Sequence, residues 1–316
     1  LSLPIDVARR RAQRSLVASE STWLRTEAEL STSHAVLESV LAYYDAALLQ
    51  ERVELLKNEV ANLEEATRVL TSREAAGTAS GYESTRLLVA TELSRSHLAD
   101  ARGSFESARA RLIALLGLRP GKGVTVQPLA LQSQPPEQSS DRASPPALEQ
   151  ARAAQRHARE ARGHAEWAWF PTVEFGAGLK RVDAGTTGYG YVVGLSVDLP
   201  VFDRAQALEA EANAQATLAA ARARALDRTL GAELAGARLA LRTARAELER
   251  FERETEDKLE VLLLAAQSGY REGQRSIVEL LDAQRARTEV AEQRLVLLGR
   301  AKRAEATLRA ATGALK

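Results

Sequence analysis

The sequence predicts a mainly helical fold with a small β part. Long antiparallel helical hairpins of coiled-coil type form its body, and a few strands contribute to a barrel shared between chains. Three observations carry this: landmarks that recur at one fixed offset, heptad patterning over long proline-free stretches, and one pair of alternating eleven-residue segments.

Apolar residues make up 45% of the chain but aromatics only 4%, so burial relies on Ala, Leu and Val. Such residues suit helices packed along their length better than one thick core. Lys and Arg number 43 against 42 Asp and Glu, with signs alternating along the helical stretches; no basic face for nucleic acid is present. The absence of Cys rules out disulfides and thiolate metal sites. The chain starts at Leu1 and contains no Met, so a processed or truncated product is expected. No run of 18 apolar residues exists, so any membrane role must come from strands.

Leu3-Pro4 recurs as Leu199-Pro200, Gly77 as Gly273, Ser80 as Ser276, Glu83 as Glu279 and Gly117 as Gly313, each 196 positions on. A duplication explains landmarks at the start, middle and end of one span better than two unrelated Ala/Leu-rich stretches do. The first repeat is predicted over residues 1–116: a strand stub, a long helix, a tip and a returning helix. Val53, Leu56, Val60, Leu63, Thr67 and Leu70 keep a 3–4 spacing on the long helix; Ala101, Phe105, Ala108, Leu112 and Leu115 do so on the returning one. A Pro-, Gln- and Ser-rich connection follows over residues 117–146, then a shorter helix over 147–169. The second repeat, residues 202–316, repeats the plan with Leu234, Ala237, Leu241, Ala244, Leu248, Phe251 and Thr255, then Ile277, Leu281, Gln284, Thr288, Ala291 and Leu295. Proline-free helical pattern runs over residues 5–75 and 202–269. At 1.5 Å per residue such a helix is roughly 100 Å long and must lie along others. Gly77 and Gly273 supply the left-handed backbone that ends a helix, and Ser80 with Glu83, and Ser276 with Glu279, have capping-box spacing.

A strand hairpin is predicted within residues 170–201, as segments 172–182 and 189–199 separated by 183–188. Odd positions carry Val173, Phe175, Leu179, Tyr191, Val193, Leu195 and Val197; apart from Val182 and Val192, even positions are small or polar. Trp167, Trp169 and Phe170 flank one end and Tyr189 and Tyr191 the other, as in outer-membrane barrel strands. An ordinary hairpin resting on helices is the plainer alternative. One hairpin cannot span lipid with open edges. Leu1 to Pro4 align with the end of the second segment, so an equivalent hairpin is expected upstream, and several chains must share one barrel.

These features resemble the TolC family of outer-membrane efflux proteins, a likeness covering nearly the whole chain. It rests on the duplication, on Val197-Asp-Leu-Pro-Val-Phe-Asp203, and on Tyr270-Arg-Glu-Gly-Gln-Arg-Ser-Ile-Val-Glu-Leu-Leu-Asp-Ala-Gln284, which is similar to the family's second periplasmic tip. The short hairpin is similar to those of the cation-efflux branch. The resemblance implies a homotrimer of twelve strands in outer-membrane lipid and twelve helices across the periplasm of a Gram-negative bacterium. It implies a periplasmic adaptor at the tips and an energised inner-membrane pump beyond, as parts of a tripartite export system. By resemblance Glu279 and Asp282 are acidic gate rings, Tyr270 and Arg275 latch residues, and Gly77, Ser80, Gly273 and Ser276 adaptor contacts. The rings would favour cations. The plainer readings are a capping-box Glu279, a solvated Asp282 and turn chemistry at the small residues.

No cofactor, metal site or catalytic chemistry is expected. His34, His97, His157 and His164 form no ligand cluster and read as surface or packing residues, and Trp23 as packing. An adaptor usually has one such hairpin, and a coiled-coil scaffold leaves the alternating strands unexplained.

Overall fold

The computed structural model describes residues 2–4, 7–75, 80–119, 125–129, 145–170, 172–183, 187–198 and 205–315. In chain order the elements are β1 (Ser2–Pro4), α1 (Val7–Ala75), α2 (Gly81–Leu115), α3 (Pro146–Glu166), β2 (Thr172–Asp183), β3 (Thr187–Asp198), α4 (Gln206–Arg271) and α5 (Ile277–Ala311). They form two compact units, one of Leu1–Thr32 with Ser144–Ala232, the other of Ser33–Ala143 with Glu233–Lys316. Both α1 and α4 contribute residues to each.

The first unit holds a three-stranded antiparallel sheet in the order β1-β2-β3. β1 pairs with β2, Leu3 opposite Phe175, and β2 pairs with β3, Phe175 opposite Leu195. One bound differs from the sequence reading. The ladder runs on to Asp183 opposite Thr187, into residues expected to be loop, because hairpin register rather than apolarity sustains backbone pairing. The second segment is strand through Asp198, and its expected last position, 199, lies outside the described residues. Helix α3 starts one residue earlier than expected, at Pro146, whose missing N–H costs nothing in a first turn. It ends at Glu166, so Trp167 to Trp169 form a turn instead of helix. Its buried residues Leu148, Ala153, Ala158 and Ala165 leave a charged face outward. Trp23 of α1 stacks on His157 at 5.1 Å and 10°, the packing role expected of both, and Arg152 pairs with Asp227 of α4 at 3.4 Å.

The second unit packs α2, α5 and the C-terminal parts of α1 and α4. The predicted seams face inward. Leu56, Val60, Leu98 and Ala101 form one cluster between α1 and α2, and Leu248, Leu297 and Leu298 another between α4 and α5. Leu63, Leu70, Leu87, Ala90, Ile277 and Leu281 form a third, which joins the two repeats. Close approach needs small residues at places: a Cβ on Gly299 would meet Leu48 Cδ1 at 2.7 Å. Residues 125–129 pack on α1. Val126 is buried with Ala42, Ala46 and Leu112, and the Leu129 N–H donates to Glu51 at 2.8 Å. Ion pairs between helices join Arg52 to Glu292 (2.7 Å), Arg294 to Glu252 (2.7 Å) and Arg303 to Asp45 (2.6 Å).

Candidate functional site

The two tips are built from the same local chemistry. Helices α2 and α5 are each 35 residues long, and the offset of 196 that relates Ser80 to Ser276 also relates Gly81 to Ile277 and Leu115 to Ala311. Each is opened by a reciprocal capping box. Ser80 Oγ accepts from the Glu83 N–H at 3.3 Å while the Glu83 carboxylate accepts from the Ser80 N–H at 3.3 Å. Ser276 and Glu279 repeat this at 3.4 and 3.2 Å. Two orphan donors are satisfied at each helix start. The helices also end alike. Gly117 and Gly313 have φ of +64° and +73°, and the N–H groups of Leu118 and Ala314 reach back to the carbonyls of Ile113 and Arg309 at 3.0 and 2.8 Å. This is a Schellman ending, which needs a residue free of Cβ strain.

At the second tip, α4 closes the same way. Gly273 has φ +71°, its N–H bonds to the Tyr270 carbonyl at 3.2 Å, and the Gln274 N–H bonds to that of Gly269 at 2.8 Å. Gly273 thus ends the helix as its type predicts, and the helix continues past the expected limit at Gly269 to Arg271. Gly77, its counterpart, lies outside the described residues.

Each remaining site residue has a definite setting. Glu279 is exposed, with its carboxylate on the Ser276 N–H. Asp282 is exposed on the next turn and faces Arg285 at 3.9 Å. The plainer roles of both acids are thus present in the chain. Tyr270 is half-buried against the cluster that joins the repeats, and the Arg73 guanidinium stands 5.7 Å from its ring centroid. Burial raises the Tyr270 pKa, Arg73 opposes that, and Glu83 adds to it. Among the described residues Arg275 packs on Gly269 and not on Tyr270. Its side chain lies across Gly269, where a Cβ would sit 2.6 Å from Arg275 Cδ.

Sequence reasoning missed Gly269, Arg73 and Glu59. Gly269 shows a signal in hindsight, because its position in the first repeat holds Arg73. Glu59 on α1 accepts from Ser94 of α2 and Thr288 of α5, both at 2.9 Å, tying both returning helices to one carboxylate. Thr288 was read only as a seam residue. His34 and His97 are exposed, and among the described residues no group of His, Cys, Asp and Glu is placed to hold a metal ion.

The apolar side of the sheet is exposed. Leu179, Tyr189, Tyr191, Val193 and Leu195 are each at least 68% exposed. Trp167 and Trp169 both meet Phe170 edge-on, at 5.6 and 5.9 Å, at the strand entrance. Among the described residues no helix is long and apolar enough to cross a membrane.

Comparison with known proteins agrees with this architecture. The family model described as outer membrane efflux protein matches residues 139–314, more than half of the chain. The chain is similar to the cobalt-zinc-cadmium resistance protein CzcC of Cupriavidus metallidurans, 27% identical over 314 residues, covering 98% of this chain and 75% of the relative. Its fold matches the CmeC outer membrane channel of Campylobacter jejuni with a TM-score of 0.85 at 17% identity, covering 99% of this chain and 69% of that one. It also matches the outer membrane protein VceC of Vibrio cholerae with a TM-score of 0.81 at 18% identity, covering 99% and 78%. The structural likenesses carry the fold, and the family model carries the kinship read from the tip and strand-exit motifs. The chain belongs to the outer membrane efflux protein family.

Proposed function

We propose that three copies of this chain stand around one axis as a passive duct from periplasm to exterior. The strands close into a single barrel in outer-membrane lipid, and the helical hairpins enclose the bore below it. The observation that carries this is the sheet: three strands with an exposed apolar side in a chain whose body is two capped helical hairpins. Among the described residues β3 pairs with β2 alone. Its other edge would leave backbone groups unpaired in hydrocarbon, at several kcal/mol each, unless strands of another copy join it.

The narrow end of the duct is the pair of tips. Glu279 and Asp282 ring it with carboxylates, and Tyr270 and Arg275 latch it shut. Gly77, Ser80, Gly273 and Ser276 are where a periplasmic adaptor's helical hairpin docks, linking the duct to an inner-membrane pump. Divalent metal cations are the cargo class: the relative from Cupriavidus metallidurans is a cobalt-zinc-cadmium resistance protein, and the tip acids suit cations. Opening is a small shift of the second tip, with no covalent chemistry.

Reconstitution of the full-length protein in planar bilayers tests the reading. Discrete trimer-sized conductances with cation preference are expected, and Glu279→Gln with Asp282→Asn reduces that preference several-fold. A protein that is soluble without detergent, monomeric by light scattering and silent in bilayers contradicts it.

A further inference from the structure

The latch as read from the second tip uses only second-repeat residues. The structure adds one from the first. Arg73 lies in the last turn of α1. Its guanidinium faces the Tyr270 ring at 5.7 Å, within reach of a cation–π contact. The rest of the ring packs on a cluster in which Leu63, Leu70, Leu87 and Ala90 come from the first repeat and Ile277 and Leu281 from the second. Partial burial strengthens such a contact, because water competes less for the cation.

The duplication does not repeat this pair. At the 196-residue offset, Arg73 corresponds to Gly269 and Tyr270 corresponds to Glu74. The first tip has a tyrosine of its own, Tyr82, but it is exposed and accepts from Arg86 at 3.2 Å. Gly269 has a use of its own, since its missing Cβ gives Arg275 room to lie across it. The two arginines therefore act in different places, Arg275 on its own tip and Arg73 across the boundary between repeats. Sliding the second tip away from the first separates the Arg73 guanidinium from the ring, whereas Arg275 travels with its tip.

We propose that Arg73 is a positioning residue of the gate: it clasps Tyr270 and holds the second-repeat tip against the first repeat, so that the tip moves only when this contact breaks. The proposal rests on the gate reading above. A contact of this class biases a two-state equilibrium by roughly three- to tenfold.

Single-channel recording of the full-length trimer decides it. Arg73→Ala and Tyr270→Ala each raise the open fraction by about three- to tenfold, and the double variant opens no further than either. Arg73→Lys, which keeps a cation over the ring, stays near the unmodified channel. Arg68→Ala, which removes an exposed arginine paired with Glu65 one turn away, serves as the control. Thermal unfolding of the trimer is followed in parallel. If Tyr270→Ala opens the channel and Arg73→Ala behaves as Arg68→Ala, the clasp is wrong and the gate reading stands. If Arg73→Ala lowers the unfolding temperature without changing the open fraction, its role is structural only and the proposal falls. If neither Tyr270→Ala nor Arg275→Ala changes conductance, the gate reading fails and takes the clasp with it.

Discussion

Glu305 is the most enclosed charge in the second unit, with 2% of its surface exposed. Its carboxylate faces Arg309 at 2.9 Å, Arg245 at 3.3 Å and Lys302 at 3.8 Å. A buried carboxylate is tolerated only with such partners, and removing it strands cations away from water. Glu305→Ala is expected to lower the unfolding free energy by about 3–5 kcal/mol in a denaturant melt. Replacing the whole cluster with apolar residues should cost far less. Tyr44 stands beside this cluster, and burial first, then Glu305, raises its pKa. Because the folded state holds the phenolic proton more tightly, the stabilisation is complete below the unfolded value of about 10 and is lost as pH climbs through the folded value. Melting temperature should therefore fall more steeply above pH of about 10 than in Tyr44→Phe. Gly269 separates stability from gating. Gly269→Ala gains about 1 kcal/mol of helix propensity but pushes Arg275 aside, so near-unchanged melting with a more open channel is expected.

Among the elements, the helix ends were the most legible part. A capping box spans four residues, and its partners are neighbours in the chain, so Ser80 with Glu83 and Ser276 with Glu279 could be read without knowing anything further away. The same holds for Gly273, whose positive φ follows from residue type and a local bond pattern; Gly117 and Gly313, marked in the sequence only by the repeat, end their helices in the same way. Ser80→Ala and Ser276→Ala should each cost about 1 kcal/mol, additively, with hydrogen-exchange protection lost in the first turn of α2 or α5 alone. The strand bounds were less legible. Period-two patterning marks the faces, while the ladder from Val182 opposite Gly188 to Asp183 opposite Thr187 depends on backbone register and leaves no mark in apolarity.

For the molecule as a whole, the exposed apolar side of the sheet and an edge of β3 that is unpaired among the described residues cannot both persist in water or in lipid for one chain alone. In the proposed duct, assembly of copies covers both. Placing a charge in that band should prevent it: Leu195→Arg, at a position 68% exposed, is expected to cost about 2–4 kcal/mol in lipid and to reduce trimer in the outer-membrane fraction. Val192→Arg, on the opposite side of the same strand, should be milder, and comparing the two by fractionation checks which side meets lipid.

What the sequence determined by itself is local and periodic: the duplication, the seams, the caps, the alternating strands and the family to which they belong. Each is written in spacings of two to seven residues or in one constant offset, and each follows from backbone geometry that any such segment must obey. Tertiary structure alone decided which distant residues meet. Arg73 faces Tyr270, Glu59 joins Ser94 to Thr288, and Arg275 fills the space left by Gly269. These meetings depend on how far each helix is rotated and slid against its neighbours. That is set by the packing of many side chains together, and no single segment encodes it.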